Sequence, residues 1–128
     1  MDNMKFGYRC FDGSLYSYRG SKDEIRATEC SVLIRNCTAV PRDMQPMVRE
    51  VHNLLTPVGE RRMGKARSLM KSVCAEADAS NISLLLLVSE DGRDKLVELY
   101  SSIGFETVQN DDNAYVMIRN PQVAEAVA

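Results

Sequence analysis

The stretch 62–88 limits what this chain can become more than any other. Between residues 62 and 79 the apolar positions are Met63, Ala66, Leu69, Met70, Val73, Cys74 and Ala77. Their steps of three and four define one stripe of an amphipathic helix. Ser80 and Asn81 close it, and 82–88 follows as a continuous apolar run bounded by polar residues. So short a run reads as a strand buried on both faces. A one-sided helix and a strand directly after it need a sheet to share, which makes this an α/β protein.

The flanks extend that sheet. Upstream, 47–55 is extended, with Val48, Val51, Leu54 and Leu55 as its apolar positions, and 56–60 is a loop carrying Pro57 and Gly59. Segments 4–11 and 14–19 read as two strands joined by the turn signal Asp12-Gly13. A break at 20–23 precedes a strand over 25–34, and 37–40 is expected to pair back on it. Downstream, 94–103 is helical, with Leu96, Leu99, Tyr100 and Ile103 on one side. Gly104 stands where a helix C-terminus favours positive φ. Strands over 105–108 and 114–119 flank a turn at 110–113, and the chain frays from Pro121. The expectation is one domain over 1–120 with a tail at 121–128, built on a mixed sheet with helices on its faces.

Hydrophobic residues make up 45% and charged residues 27%, so the chain can bury a core. A net charge of −2 does not suit a nucleic-acid backbone. Cys10, Cys30, Cys37 and Cys74 form no C-x-x-C pair and His52 is the single histidine, so no metal site is expected. The cysteines are expected as thiols, partly in the core. No apolar run is long enough for a bilayer, and the first residues lack a signal-like segment, which points to a soluble cytoplasmic protein.

The loop before the first helix carries Arg61, Arg62, Gly64, Lys65 and Arg67. The first helical turn leaves backbone N–H groups without internal partners, and the helix dipole favours an anion there. Gly64 lets a phosphate come close to the backbone. A pyrophosphate-bearing ligand fits, and so does a solvated basic helix start. The pattern is neither a P-loop nor a dinucleotide fingerprint.

Arg61-Arg62-Met63-Gly64-Lys65-Ala66 resembles the Q/R-x-x-G-x-G/A motif of the GNAT (GCN5-related N-acetyltransferase) superfamily. Leu99-Tyr100-Ser101-Ser102-Ile103-Gly104-Phe105 resembles the family's second signature, a helix ending L-Y-x-x-x-G-F. The resemblance implies a mostly antiparallel twisted sheet with two central parallel strands, 47–55 and 82–88, splayed apart. It implies acetyl-CoA in that gap, the pantetheine arm along Leu54, Leu55 and Thr56, and the pyrophosphate on backbone N–H groups of Arg62, Met63, Gly64, Lys65, Ala66 and Arg67. It further implies transfer of the acetyl group to a primary amine by direct attack. The acceptor would be a protein lysine, a protein N-terminus or a small molecule. Tyr100 then stands where the family places an acid for the leaving thiolate, or is a core aromatic. Glu50 matches the base position of the histone acetyltransferases, or is an exposed strand glutamate. His52, two residues on, shares its face and is the second candidate base.

Two features depart from the family. Arg93 stands where an asparagine is frequent, which alters contacts to the coenzyme. Residues 1–20 read as strands where the family has helices, so the acceptor side is unusual or is completed by a partner subunit, as in a homodimer. These departures keep a second reading open, a non-catalytic acyl-CoA-binding or interaction module on the same fold.

Overall fold

The computed structural model describes residues 7–10, 15–16, 30–38, 40–55, 64–89, 93–110 and 114–122. In chain order these give β1 (Gly7–Cys10), β2 (Leu15–Tyr16), β3 (Ser31–Asn36), a 3-10 turn (Gln45–Met47), β4 (Val48–Leu55), α1 (Lys65–Ala79), β5 (Ser83–Ser89), α2 (Arg93–Ser102), β6 (Glu106–Asn110) and β7 (Ala114–Arg119). The strands form one sheet in the order β2-β1-β3-β4-β5-β7-β6. All neighbours are antiparallel except β4 and β5. Parallel neighbours need a crossover connection, and α1 supplies it.

Both described helices lie over one face of the sheet. Leu69, Met70, Val73, Cys74 and Ala77 of α1 and Tyr100 of α2 join one buried cluster with Ile34, Val51, Leu84, Leu86 and Met117. The stripe read from the sequence is the stripe that is buried. The expectation that the central strand is buried on both sides is corrected. Leu84, Leu86 and Val88 face the helices, but Leu87 points the other way and is 58% exposed.

The two helices end alike. After α1, Asn81 takes φ of 57°, the Ile82 N–H donates to the Ala77 carbonyl (2.8 Å) and the Asn81 N–H to the Asp78 carbonyl (3.1 Å). After α2, Gly104 takes φ of 106°, the Phe105 N–H donates to the Tyr100 carbonyl (3.0 Å) and the Gly104 N–H to the Ser101 carbonyl (3.2 Å). Each is a Schellman cap, whose apolar contact joins the residue after the left-handed position to the last turn. In α2 that contact is the edge-on pair Tyr100–Phe105, with ring centroids 5.4 Å apart. The L-Y-x-x-x-G-F spacing is therefore a helix stop with its own packing. A Cβ on Gly104 would also lie 2.4 Å from Gln122 Nε2.

Two segments differ from expectation. Residues 37, 38 and 40 are not strand, and β3 pairs instead with β4 across the Pro41–Met47 connection. Pro41, without an N–H, is a poor start for a paired strand. The chain past β7 is held, not frayed, through Gln122, whose N–H donates to Asp78 Oδ1 at 2.8 Å. Within the strands read over 4–11 and 14–19, the described residues 7–10 and 15–16 are strand, while 4–6, 11–14 and 17–19 lie outside the described residues, as do 20–29, 111–113 and 123–128.

Charged clasps fasten α1 to the sheet. Arg119 of β7 grips Asp78 with two hydrogen bonds (2.6 and 3.1 Å) and donates to the Ile103 carbonyl (2.8 Å). Arg9 of β1 pairs with Glu76. Cys30, Cys37 and Cys74 are buried thiols, and burial pushes Cys74 up to about 11.

Candidate functional site

β4 and β5 pair from Val48–Ser83 to Val51–Leu86 and then part. β4 stays with β3 as far as Leu55 opposite Ser31, and β5 stays with β7 as far as Ser89 opposite Ala114. The cause lies in β4. Leu33 pairs with His52 and Ser31 with Leu55, so β4 holds one more residue than β3 over that interval. An extra residue bends its strand and increases its twist. The bulge therefore turns β4 away from β5, and the two facing edges become available to an extended ligand.

The gap opens at the carboxyl ends of β4 and β5. This is also the end from which α1 starts, and it is where ligands bind in sheets with parallel crossovers. Gly64 caps α1 with φ of 73° and has no side chain to accept from its first N–H groups. The first turn carries no acidic residue. Among the described residues, a Cβ built on Gly64 would meet nothing within 4 Å. These features fit a diphosphate. Lys65 and Ala66 are half-buried. Arg67 is exposed and donates to Ser102 Oγ (2.9 Å), whose hydroxyl donates to the Leu99 carbonyl (2.6 Å).

Leu54 packs half-buried against the core at the gap. Leu55 and Arg93 are placed by backbone alone, and Thr56, Arg61, Arg62 and Met63 lie outside the described residues.

On the face opposite the helices, Glu50 and His52 do point the same way. His52 Nδ1 is 3.8 Å from Glu50 Oε2. Sequence reasoning passed over their neighbour. Arg35, directly across from Glu50 in the β3–β4 register, donates to the same oxygen from Nε (3.1 Å) and Nη2 (2.6 Å). The carboxylate is 13% exposed and the imidazole 42%. Glu50 is therefore neither a surface glutamate nor an uncommitted base. Nothing local marks Arg35, because its partner is fifteen residues away and is set by strand register.

Tyr100 is 5% exposed, and burial pushes its hydroxyl up to about 12. It remains protonated throughout the physiological range. Among the described residues no helix is long and apolar enough to cross a membrane, and no three His, Cys, Asp or Glu side chains cluster as metal ligands.

No family model matches the sequence, and no curated protein matches it. Solved structures do. A GCN5-related N-acetyltransferase from Kribbella flavida superposes with a TM-score of 0.62 at 15% identity, over 84% of this chain and 81% of that one. Ard1 from Thermoplasma volcanium gives 0.58 at 20%, over 88% and 83%. The ribosomal-protein-S18-alanine N-acetyltransferase from Escherichia coli gives 0.59 at 18%, over 78% of this chain. The chain spans 66% of that enzyme's length.

Proposed function

Since the chain has the fold of the GCN5-related N-acetyltransferases, we propose that it transfers an acetyl group from acetyl-CoA to a primary amine by direct attack in a ternary complex. The observation that carries the reading is the bulge-driven parting of β4 and β5 at the end where the uncapped, acid-free turn of α1 begins. The first turn of α1, from Gly64 to Arg67, holds the diphosphate through backbone N–H groups, with Arg61 and Arg62 adding charge. The edge of β4 at Leu54, Leu55 and Thr56 takes the amide-rich arm, and the Leu54 N–H polarises the thioester carbonyl.

The acceptor amine loses one proton to a base on the face carrying Glu50 and His52. Its lone pair then forms the N–C bond, the C–S bond breaks with its electron pair on sulfur, and the second nitrogen proton ends on the thiolate. Full proton transfer from Tyr100 to a thiolate is uphill. Burial pushes that hydroxyl up to about 12, above the ordinary thiol range of about 8.5. Tyr100 is therefore assigned a hydrogen bond to the leaving sulfur, with water relaying the nitrogen proton to it.

The depth of Tyr100 and the arginine on Glu50 also suit a second reading, an acyl-CoA-binding module without turnover. Native mass spectrometry with acetyl-CoA tests what the two share, and a one-to-one complex is expected. Release of thiol with a lysine peptide, a free N-terminal peptide or a small arylalkylamine then selects the enzyme. If neither acetyl-CoA nor a longer acyl-CoA shifts the mass, both readings fail.

A further inference from the structure

Past the point where β4 and β5 part, a leucine stands at the mouth of the gap. The two strands pair as far as Val51–Leu86, so Leu87, Val88 and Ser89 are the β5 residues beside the gap. Successive strand residues face opposite ways. Val88 turns to the helices and is buried, while Leu87 turns to the other face and is 58% exposed. Cross-strand register sets the neighbours of Leu87 on that face. Val116 of β7 lies directly opposite Leu87, and Ile118 lies opposite Leu85. Those three are half-buried, so four aliphatic side chains form one block with Leu87 as its most exposed member. The block itself carries no charge. Glu50 of β4, beside Leu85, is held by Arg35, and Glu106 lies beyond Ile118 on β6. A lone exposed leucine is ordinary. This one joins an apolar block and stands where the gap opens, on the face where the proposed step takes the acceptor's proton.

We propose that Leu87, backed by Leu85 and Val116, selects an acceptor whose amine carries an apolar group, aliphatic or aromatic, two or three bonds from the nitrogen, over a short polar amine. The inference rests on the acetyltransferase reading and names the class of its acceptor. An apolar group laid on the block takes both surfaces out of water. A hydroxyl in the same place loses hydration and finds no partner on the block. The bonds made and broken are those of the transfer already described, and Leu87 acts on the binding of the acceptor. Its effect therefore falls on KM more than on kcat.

Phenethylamine and ethanolamine, both primary amines, differ in this group. With acetyl-CoA saturating, kcat/KM is expected to be about tenfold or more higher for phenethylamine, and a peptide beginning with Leu should exceed one beginning with Ser by a similar factor. A preference in one pair alone upholds the proposal and identifies the source as small molecule or peptide. Leu87→Gln keeps the length of the side chain and is expected to bring the ratios to within about threefold of one, through KM, with acetyl-CoA affinity unchanged. Binding is read apart from turnover by methyl 13C NMR of the full chain, where Leu87→Gln identifies the Leu87 signals by their loss. Phenethylamine should shift the Leu87 and Val116 methyls, and ethanolamine should not. Such shifts without thiol release uphold the apolar site and sink the enzyme reading. Equal ratios in the parent protein, or methyls indifferent to phenethylamine, overturn the proposal. A dimer in native mass spectrometry that Leu87→Gln dissociates also overturns it, because a second copy then covers the block.

Discussion

A tyrosine hydroxyl raised by burial and a glutamate held by an arginine do not act as those side chains do in water. Tyr100→Phe removes a hydrogen-bond donor from a ring whose packing against Phe105 persists. Turnover is expected to fall by no more than about tenfold, because in the proposed step Tyr100 gives only a hydrogen bond. A loss of a hundredfold or more, measured as thiol release, would restore it as the acid. On the proposed step, whichever of Glu50→Gln and His52→Gln removes the base is expected to cost roughly 10²-fold or more. A loss below about tenfold in both variants, in the same assay, would move the base off this face.

Each helix is shaped by its ends. Gly64 is left-handed, so a side chain there is strained, but its Cβ meets no neighbouring atom among the described residues. Gly64→Glu places a carboxylate beside the anion site and is expected to abolish acetyl-CoA binding in calorimetry while the circular dichroism spectrum persists. Unchanged affinity would remove the cradle. At the other ends, Asn81→Val forces a β-branched residue into the left-handed region and should cost about 1–2 kcal/mol. Gly104→Ala adds a clash with Gln122 and Arg119 to the same strain and should cost about 1–3 kcal/mol. Urea midpoints measure both, and equal stability of parent and variants would contradict the Schellman assignment.

Across the whole molecule, Asp78 joins α1 to β7, to the turn after α2 through Arg119, and to the C-terminal segment through Gln122. Desolvation pushes its carboxyl upward. The Arg119 hydrogen bonds, the Gln122 N–H and the Arg119 charge outweigh that push and hold it below its ordinary value. A carboxyl lowered in the folded state binds its proton more readily when unfolded. Its stabilisation is thus complete above about pH 4 and is lost as the pH falls through the lower, folded value. Urea unfolding between neutral and acid pH should show that decline. Asp78→Asn should flatten it and cost about 2–4 kcal/mol at neutral pH, since it leaves Arg119 covered without its counter-charge. An identical acid limb in the variant would assign the decline to other carboxylates.

What the sequence determined by itself was local. The stripe of α1, the bounds of β7 and the positive φ at Gly104 depend on contacts within about five residues. Periodicity and capping chemistry carry that information. Tertiary structure decided the rest. The exposure of Leu87 follows from which face the two helices took. The partner of β3 followed from a connection through Pro41, and the grip of Arg35 on Glu50 from cross-strand register. The parting of β4 and β5 came from one extra residue measured against β3. Each of these is a relation between segments distant in the chain, and a linear pattern holds no term for it until the strands have met.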